Sequence, residues 1–176
     1  EIQPGFGRTG KLFSFEHYDM VPDILVMGKG MGGGVPVGAF MSSTEIMKSL
    51  QHSPKLGHIT TFGGNPLIAA SCYATLKEIL DSGLMNEMEE KEKLFRALLV
   101  HPKIKKINGR GLMLAVELES PDYTLRVAKR CMEKGLIVFW QLYRNEFMRI
   151  SPPLTLTEGD IEKGCKIILE ALDEIE

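Results

Sequence analysis

The sequence predicts an α/β chain whose last part closes into a small α+β lobe. Two short apolar runs, Asp23-Ile24-Leu25-Val26-Met27 and Val37-Gly38-Ala39-Phe40-Met41, stand in a glycine- and aromatic-rich opening third and read as buried strands. Two helical stretches follow. Beyond them Leu112, Leu114, Val116 and Leu118 occupy alternate positions, with Glu117 and Glu119 interleaved, which is the period of a half-buried strand.

Taken in order, the first helix begins at Asn65-Pro66, an N-cap residue followed by proline at the first helical position. It continues through Ala69, Ala70 and Ala74, which suggest a close packing face, and stops before Gly83. A highly charged helix is expected from about Met85 to Leu99, ending near His101-Pro102 because proline cannot extend it. The pair reads as a bridge between lobes, so the expected domains are residues 1–65, connecting helices over 66–100 and an α+β domain over 101–176. Within the last, Ser120-Pro121 opens a helix to about Lys134, and Gly135 ends it. Residues 136–140 and 147–150 read as strands separated by a polar turn. Thr157 with Asp160 gives a capping-box start to a final helix with apolar face Ile161, Cys165, Ile168, Leu169 and Leu172.

A chain of 176 residues, 44% hydrophobic, buries a core as one domain or as parts of two. Its net charge of -2 gives no drive toward nucleic acid or an anionic membrane, leaving a small molecule or a protein as the expected partner. Cys72, Cys131 and Cys165 are odd in number and widely spaced, suggesting neither a disulfide framework nor a CxxC metal site; they read as reduced core thiols. No apolar run approaches the roughly 20 residues of a membrane span, and nothing resembles a signal peptide. An intracellular, soluble, cytoplasmic protein is expected. His52 and His58 share a loop without a third ligand, so no metal is expected. The chain opens on Glu1 rather than Met and reads as a fragment of a longer protein.

Two glycine runs carry the functional signal. Gly5-Phe6-Gly7-Arg8-Thr9-Gly10 fits GxGxxG, and with Lys11 it fits a phosphate loop except for the final hydroxyl residue, where Leu12 stands. That chemistry needs a strand before the glycines and a helix after them. Pro4 precedes the run and residues 11–18 are aromatic and irregular, so a tight structural loop is expected and a nucleotide binder is the alternative. In Gly28-Lys29-Gly30-Met31-Gly32-Gly33-Gly34 a lysine ends an apolar strand. Flanking glycines there give a cofactor aldehyde room to approach the amine, and desolvation favours its neutral, nucleophilic form. The alternative is a solvated lysine in a flexible loop.

Glu1-Ile2-Gln3, Gly5 to Gly10, Pro22-Asp23-Ile24, Gly28-Lys29-Gly30, Thr61-Phe62-Gly63-Gly64-Asn65-Pro66, Gly109-Arg110-Gly111-Leu112 and Arg149-Ile150-Ser151-Pro152-Pro153-Leu154 occur in order along nearly the whole chain. The set resembles class III aminotransferases of the acetylornithine/ornithine type. The resemblance implies the C-terminal portion of a fold type I transferase dependent on pyridoxal 5'-phosphate, acting on an amino acid and a 2-oxo acid through a ping-pong mechanism. It implies that Lys29 is the Schiff-base lysine and proton shuttle. Gln3 matches a residue near the phenolic oxygen of the cofactor, against the plain reading of a glutamine capping a strand end. Thr61 matches a threonine that binds the cofactor phosphate of the neighbouring subunit, which implies a homodimer, against a turn threonine bonded to local backbone. Arg149 matches the arginine that grips a substrate carboxylate, a task for its bidentate fork, against pairing with a structural acid. Aminomutases and decarboxylases share the family, so product identity stays open. The family's aspartate partner of the pyridine nitrogen would stand immediately before Glu1, and Pro4 replaces its usual Thr or Ser. A second expectation follows: the chain alone folds or dimerises without holding cofactor and is inert.

Overall fold

The computed structural model describes residues 1–175, which divide into one unit over Glu1–Met85 and a second from Asn86 onward. The division falls inside the segment expected to join two lobes: its first helix goes with the first unit and its second helix with the second. Among the described residues no helix is long and apolar enough to cross a membrane.

In the first unit the two apolar runs form β1 (Ile24–Gly28) and β2 (Gly38–Ser42), paired antiparallel with Ile24 opposite Ser42 and Gly28 opposite Gly38. Their expected burial is not found. Ile24, Val26, Phe40 and Met41 are between 44% and 55% exposed. A continuous apolar run is buried only where layers cover both faces of its sheet, and the described residues leave these side chains open. After β2, the Ser43 hydroxyl caps a short helix, α1 (Thr44–Lys48), by accepting from the Ile46 amide. The long helix α2 (Pro66–Asp81) starts where the sequence places it: Asn65 Oδ1 accepts from the amides of Leu67 and Ile68, at 2.9 and 3.3 Å. Such a cap contributes about 1 kcal/mol. The close packing face, however, is not the alanine side. Ala69, Ala70 and Ala74 are exposed, and Ser71 and Thr75 make the approach to the glycine turn after β1.

The second unit is a four-stranded antiparallel sheet of order β3-β4-β6-β5, formed by β3 (Lys106–Arg110), β4 (Met113–Glu117), β5 (Phe139–Trp140) and β6 (Phe147–Ile150). Its helices are α3 (Met88–Leu98), α4 (Pro121–Glu133) and α5 (Glu158–Glu174), with α5 packed on both α3 and α4. The alternation read around β4 is real: Leu112, Leu114, Val116 and Leu118 are all buried in the core. Met148 and Ile150 of β6, opposite Val116 and Leu114, share that face. Strand β3 was not legible, because Lys-Ile-Asn-Gly-Arg has no apolar alternation and is made a strand by its ladder to β4. The expected strand over 136–140 shrinks to Phe139–Trp140. Thr157 and Asp160 form the expected capping box, each side chain bonding the other's amide at 3.2 Å. At the other end of α5, Lys103 Nζ and the Tyr123 hydroxyl donate to the carbonyl of Leu172, which the helix leaves without an internal partner. On its core face Ala171 is fully buried, whereas Leu169 is only partly so.

The cysteines divide. Cys131 and Cys165 are buried thiols, and Cys72 is partly exposed. Burial pushes Cys131 up to about 11 and Cys165 up to about 12, from an ordinary 9.0.

Truncating the core at Leu114→Ala is expected to cost about 2–5 kcal/mol, read as a lower urea midpoint. Iodoacetamide at pH 8 should modify Cys72 in the native chain and reach Cys131 and Cys165 only after unfolding, as peptide masses will report. Because both buried thiols have raised pKa values, their contribution is complete below pH 9 and is lost as pH rises toward 11–12. The urea midpoint should therefore fall between pH 8 and pH 11, and Cys131→Ala/Cys165→Ala should flatten that fall.

Candidate active site

β1 ends at Gly28, and Lys29 opens a tight 3₁₀ turn, Lys29–Gly32. The Lys29 φ of 46° lies in the left-handed region, which costs an ordinary residue roughly 1–2 kcal/mol. Such a conformation persists where its surroundings over-determine it, and here they do. The Gly33 amide donates to Gly30 O at 3.3 Å, the Val35 amide to Gly32 O at 3.1 Å, and the Ser71 hydroxyl of α2 to Gly32 O at 2.7 Å. A Cβ on Gly33 would lie 2.0 Å from Thr75 Oγ1, and one on Gly32 would lie 2.7 Å from Val37 Cγ1. These glycines are therefore favoured by close packing on α2 and on Val37, just before β2, a reason the sequence did not disclose. The Lys29 side chain itself is exposed, so the desolvation expected of its amine is not supplied by the described residues.

The segment carrying Gln3 lies alongside that turn. The Glu1 nitrogen donates to Val26 O of β1 at 2.8 Å. Ile2 Cγ2 approaches within 3.7 Å of where a Gly28 side chain would begin, and Phe6 Cβ comes equally near at Gly30. Contacts just before and just after Lys29 thus bring the half-buried Gln3 and the lysine into one neighbourhood. The Glu1 carboxylate pins the segment by accepting from the amides of Ser14 and Phe15, at 2.9 and 3.1 Å.

The loop over residues 5–10 is not a phosphate cradle. The Phe6 and Gly7 amides donate to Leu12 O and the Gly10 amide to Gly7 O, so these donors are engaged by the backbone. Phe6 and Thr9 are buried, and burial also depresses the pKa of the Arg8 guanidinium. The expected tight structural loop is what forms.

Thr61 lies in an exposed turn closed by the Gly63 amide on Thr60 O at 3.2 Å, within a stretch over 51–64 that is exposed throughout. The structure does not join it to Lys29 or Gln3 by any contact among the described residues. Arg149 stands in the second unit on β6, opposite Ala115 of β4 and Phe139 of β5. Its guanidinium carbon is 5.9 Å from the centre of the Phe139 ring, and no carboxylate pairs with it among the described residues. It lines a cavity of about 480 Å³ together with Phe139, Ile150, Pro152 and Pro153. No group of acidic, histidine and cysteine side chains fit for a metal occurs among the described residues.

Sequence reading expected the charged helix α3 but not the work of its charged side chains. Three of its charged side chains bond backbone of other segments: Lys91 Nζ donates to Leu154 O at 2.9 Å, and Arg96 donates to Ile107 O and Gly109 O at 2.7 and 2.9 Å. Glu92 accepts from the Gly111 amide. The signal was present, because Lys91 occupies the same helical phase as the buried Met88 and Phe95.

The family model of class-III aminotransferases matches residues 1–172. An acetylornithine aminotransferase of Caldanaerobacter subterraneus is 37% identical over 99% of this chain and 44% of its own length. A putrescine aminotransferase of Pectobacterium atrosepticum is 37% identical over 98% of the chain and 38% of its own length. An ornithine aminotransferase of Toxoplasma gondii, solved with partial occupancy of pyridoxal phosphate at its active site, superposes with a TM-score of 0.88 at 34% identity, over 99% of this chain and 42% of that one. The chain thus spans less than half the length of these relatives, yet almost all of it is matched. With ordered motifs, a matching family model and a shared fold in agreement, the chain belongs to the class-III aminotransferase family.

Proposed function

We propose that this chain is the C-terminal part of a homodimeric, cytoplasmic enzyme that moves an amino group between an amino acid or ω-amine and a 2-oxo acid, using pyridoxal 5'-phosphate. The observation that carries the reading is Lys29: a primary amine presented at a strand end, on a strained turn locked against α2, with the Gln3 segment alongside. An exposed amine on a fixed backbone fits the aldehyde of that cofactor. When bound, the cofactor supplies an electron sink for charge developing at the substrate α-carbon.

The chain's own residues do the rest. Lys29 would hold the cofactor through its Nζ and, as the amine at the reacting centre, would take and return the proton at the substrate α-carbon. Gln3 hydrogen-bonds the phenolic oxygen. Thr61 donates its hydroxyl to the cofactor phosphate in the neighbouring subunit, a role that agrees with its place on an exposed loop. Arg149, free of acidic partners among the described residues, holds a substrate carboxylate with two parallel N–H bonds.

A second reading applies to the chain taken alone: it folds without holding cofactor. The exposure of Lys29 and of the apolar faces of β1 and β2 favours it. Borohydride reduction after incubation with pyridoxal phosphate, followed by peptide mapping, separates the two. One reduced adduct at Lys29, lost in Lys29→Ala, supports cofactor binding by this chain; scattered or absent labelling supports the second reading.

In the full-length enzyme, Lys29→Ala is expected to lower kcat by at least about 10²–10⁴-fold, measured in single half-reactions. A wild-type rate in that variant would remove the assignment. Arg149→Met should raise KM for the carboxylate substrate about 10–100-fold, the loss of a charge-assisted pair of roughly 1.5–3 kcal/mol.

A further inference from the structure

The α3 face turned into the core carries Met88, Lys91, Phe95 and Leu98 or Leu99 at helical spacing, and one of these is a charge. Only 8% of the Lys91 side chain is exposed. Its ammonium sits 2.7 Å from Glu87 Oε2, at the N-cap of the helix four residues back, and 2.9 Å from the carbonyl oxygen of Leu154. A leucine or methionine there would complete the apolar stripe, while the lysine's partner Glu87 is half exposed, so the burial of its charge rests on the lysine alone. Departures from pattern of this kind concentrate where function constrains the chain. What the lysine gains over methionine is a fixed point for one backbone carbonyl.

That carbonyl is mechanically important. β6 ends at Ile150, and Pro152 and Pro153 have no N–H, so two of the next residues cannot be held by donating to a neighbour. At those two residues the backbone can hydrogen-bond only through its carbonyls. The prolines also fix φ near −65°, which makes the short path from Arg149 to Leu154 stiff. A shift at Leu154 is therefore passed back to the end of β6, where Arg149 stands between its cross-strand neighbours Ala115 and Phe139.

We propose that Lys91 is a positioning residue for Arg149: by holding the Leu154 carbonyl it sets the course of the Arg149–Leu154 segment and thereby the reach of the guanidinium. This rests on the reading of Arg149 as the carboxylate-binding arginine. Lys91 touches neither substrate nor cofactor. Its effect is on substrate placement, and a misplacement of about 1 Å at a binding group is enough to cost one to two orders of magnitude.

The test compares wild type, Lys91→Met, Lys91→Arg and Arg149→Met in the full-length enzyme. KM and kcat are measured for the 2-oxo acid, with hydrogen exchange of peptides covering 147–157 and a thermal melt for each variant. Lys91→Met is expected to raise KM about tenfold, leave kcat within about twofold and speed exchange after Leu154. Lys91→Arg, which keeps a cationic donor, should restore both. A stabilising role alone would lower the melting temperature and leave KM in place. If Lys91→Met has wild-type KM while Arg149→Met is impaired, the proposal is overturned and the Arg149 reading survives. If Arg149→Met itself leaves KM unmoved, the carboxylate reading fails and the proposal fails with it.

Discussion

The first unit depends on a single contact between a helix and a turn: Ser71 of α2 donates to the Gly32 carbonyl while Thr75 lies against Gly33. Together with the turn's own Gly33–Gly30 and Val35–Gly32 bonds, that contact keeps Lys29 at a φ of 46°, a region an L-residue otherwise escapes at a gain of about 1–2 kcal/mol. With it, the lysine leaves β1 in one direction. The Gln3 segment is fixed to the same strand by the Glu1–Val26 bond and by contacts at Gly28 and Gly30. A flexible side chain on a rigid backbone is what a reacting amine needs: freedom over the last few bonds and none in the main chain.

The second unit applies the same logic through α3. Its apolar stripe packs into the core, and its charges bind backbone where the sheet ladder cannot. Arg96 holds two carbonyls of the edge strand β3, Glu92 holds the Gly111 amide in the β3–β4 turn, and Lys91 grips the proline segment after β6. Backbone groups at turns and strand ends have lost their ladder partners and must find others when shielded from water. That need explains why so charged a helix lies against a core of leucine, valine and methionine. Buried thiols and a fully buried Thr124, whose hydroxyl bonds Ser120 O, complete an interior without unsatisfied side-chain polar atoms among the described residues.

Much of the fold was legible because the signals are local. Asn65-Pro66, Ser120-Pro121 and Thr157 with Asp160 start helices through bonds made within four residues, and Leu112 to Leu118 alternate with the period of their strand. The errors came where the cause is distant. Lys-Ile-Asn-Gly-Arg became β3 only through pairing with β4, the alanines of α2 stayed exposed while Ser71 and Thr75 made the contact, and the apolar runs of β1 and β2 proved open.

The sequence by itself determined the family, the helix starts, the strand alternation of the second unit and the choice of Lys29, Gln3, Thr61 and Arg149 as candidates, because motif identity and capping are written in neighbouring residues. The tertiary structure alone decided that the segment carrying Gln3 runs alongside the Lys29 turn, that Lys29 holds a strained backbone against α2, and that Arg149 stands, among the described residues, without an acidic partner near a segment tied to Lys91. Those facts join residues tens of positions apart. They depend on which side chains the packed chain brings within a few ångströms, a quantity that no local pattern encodes.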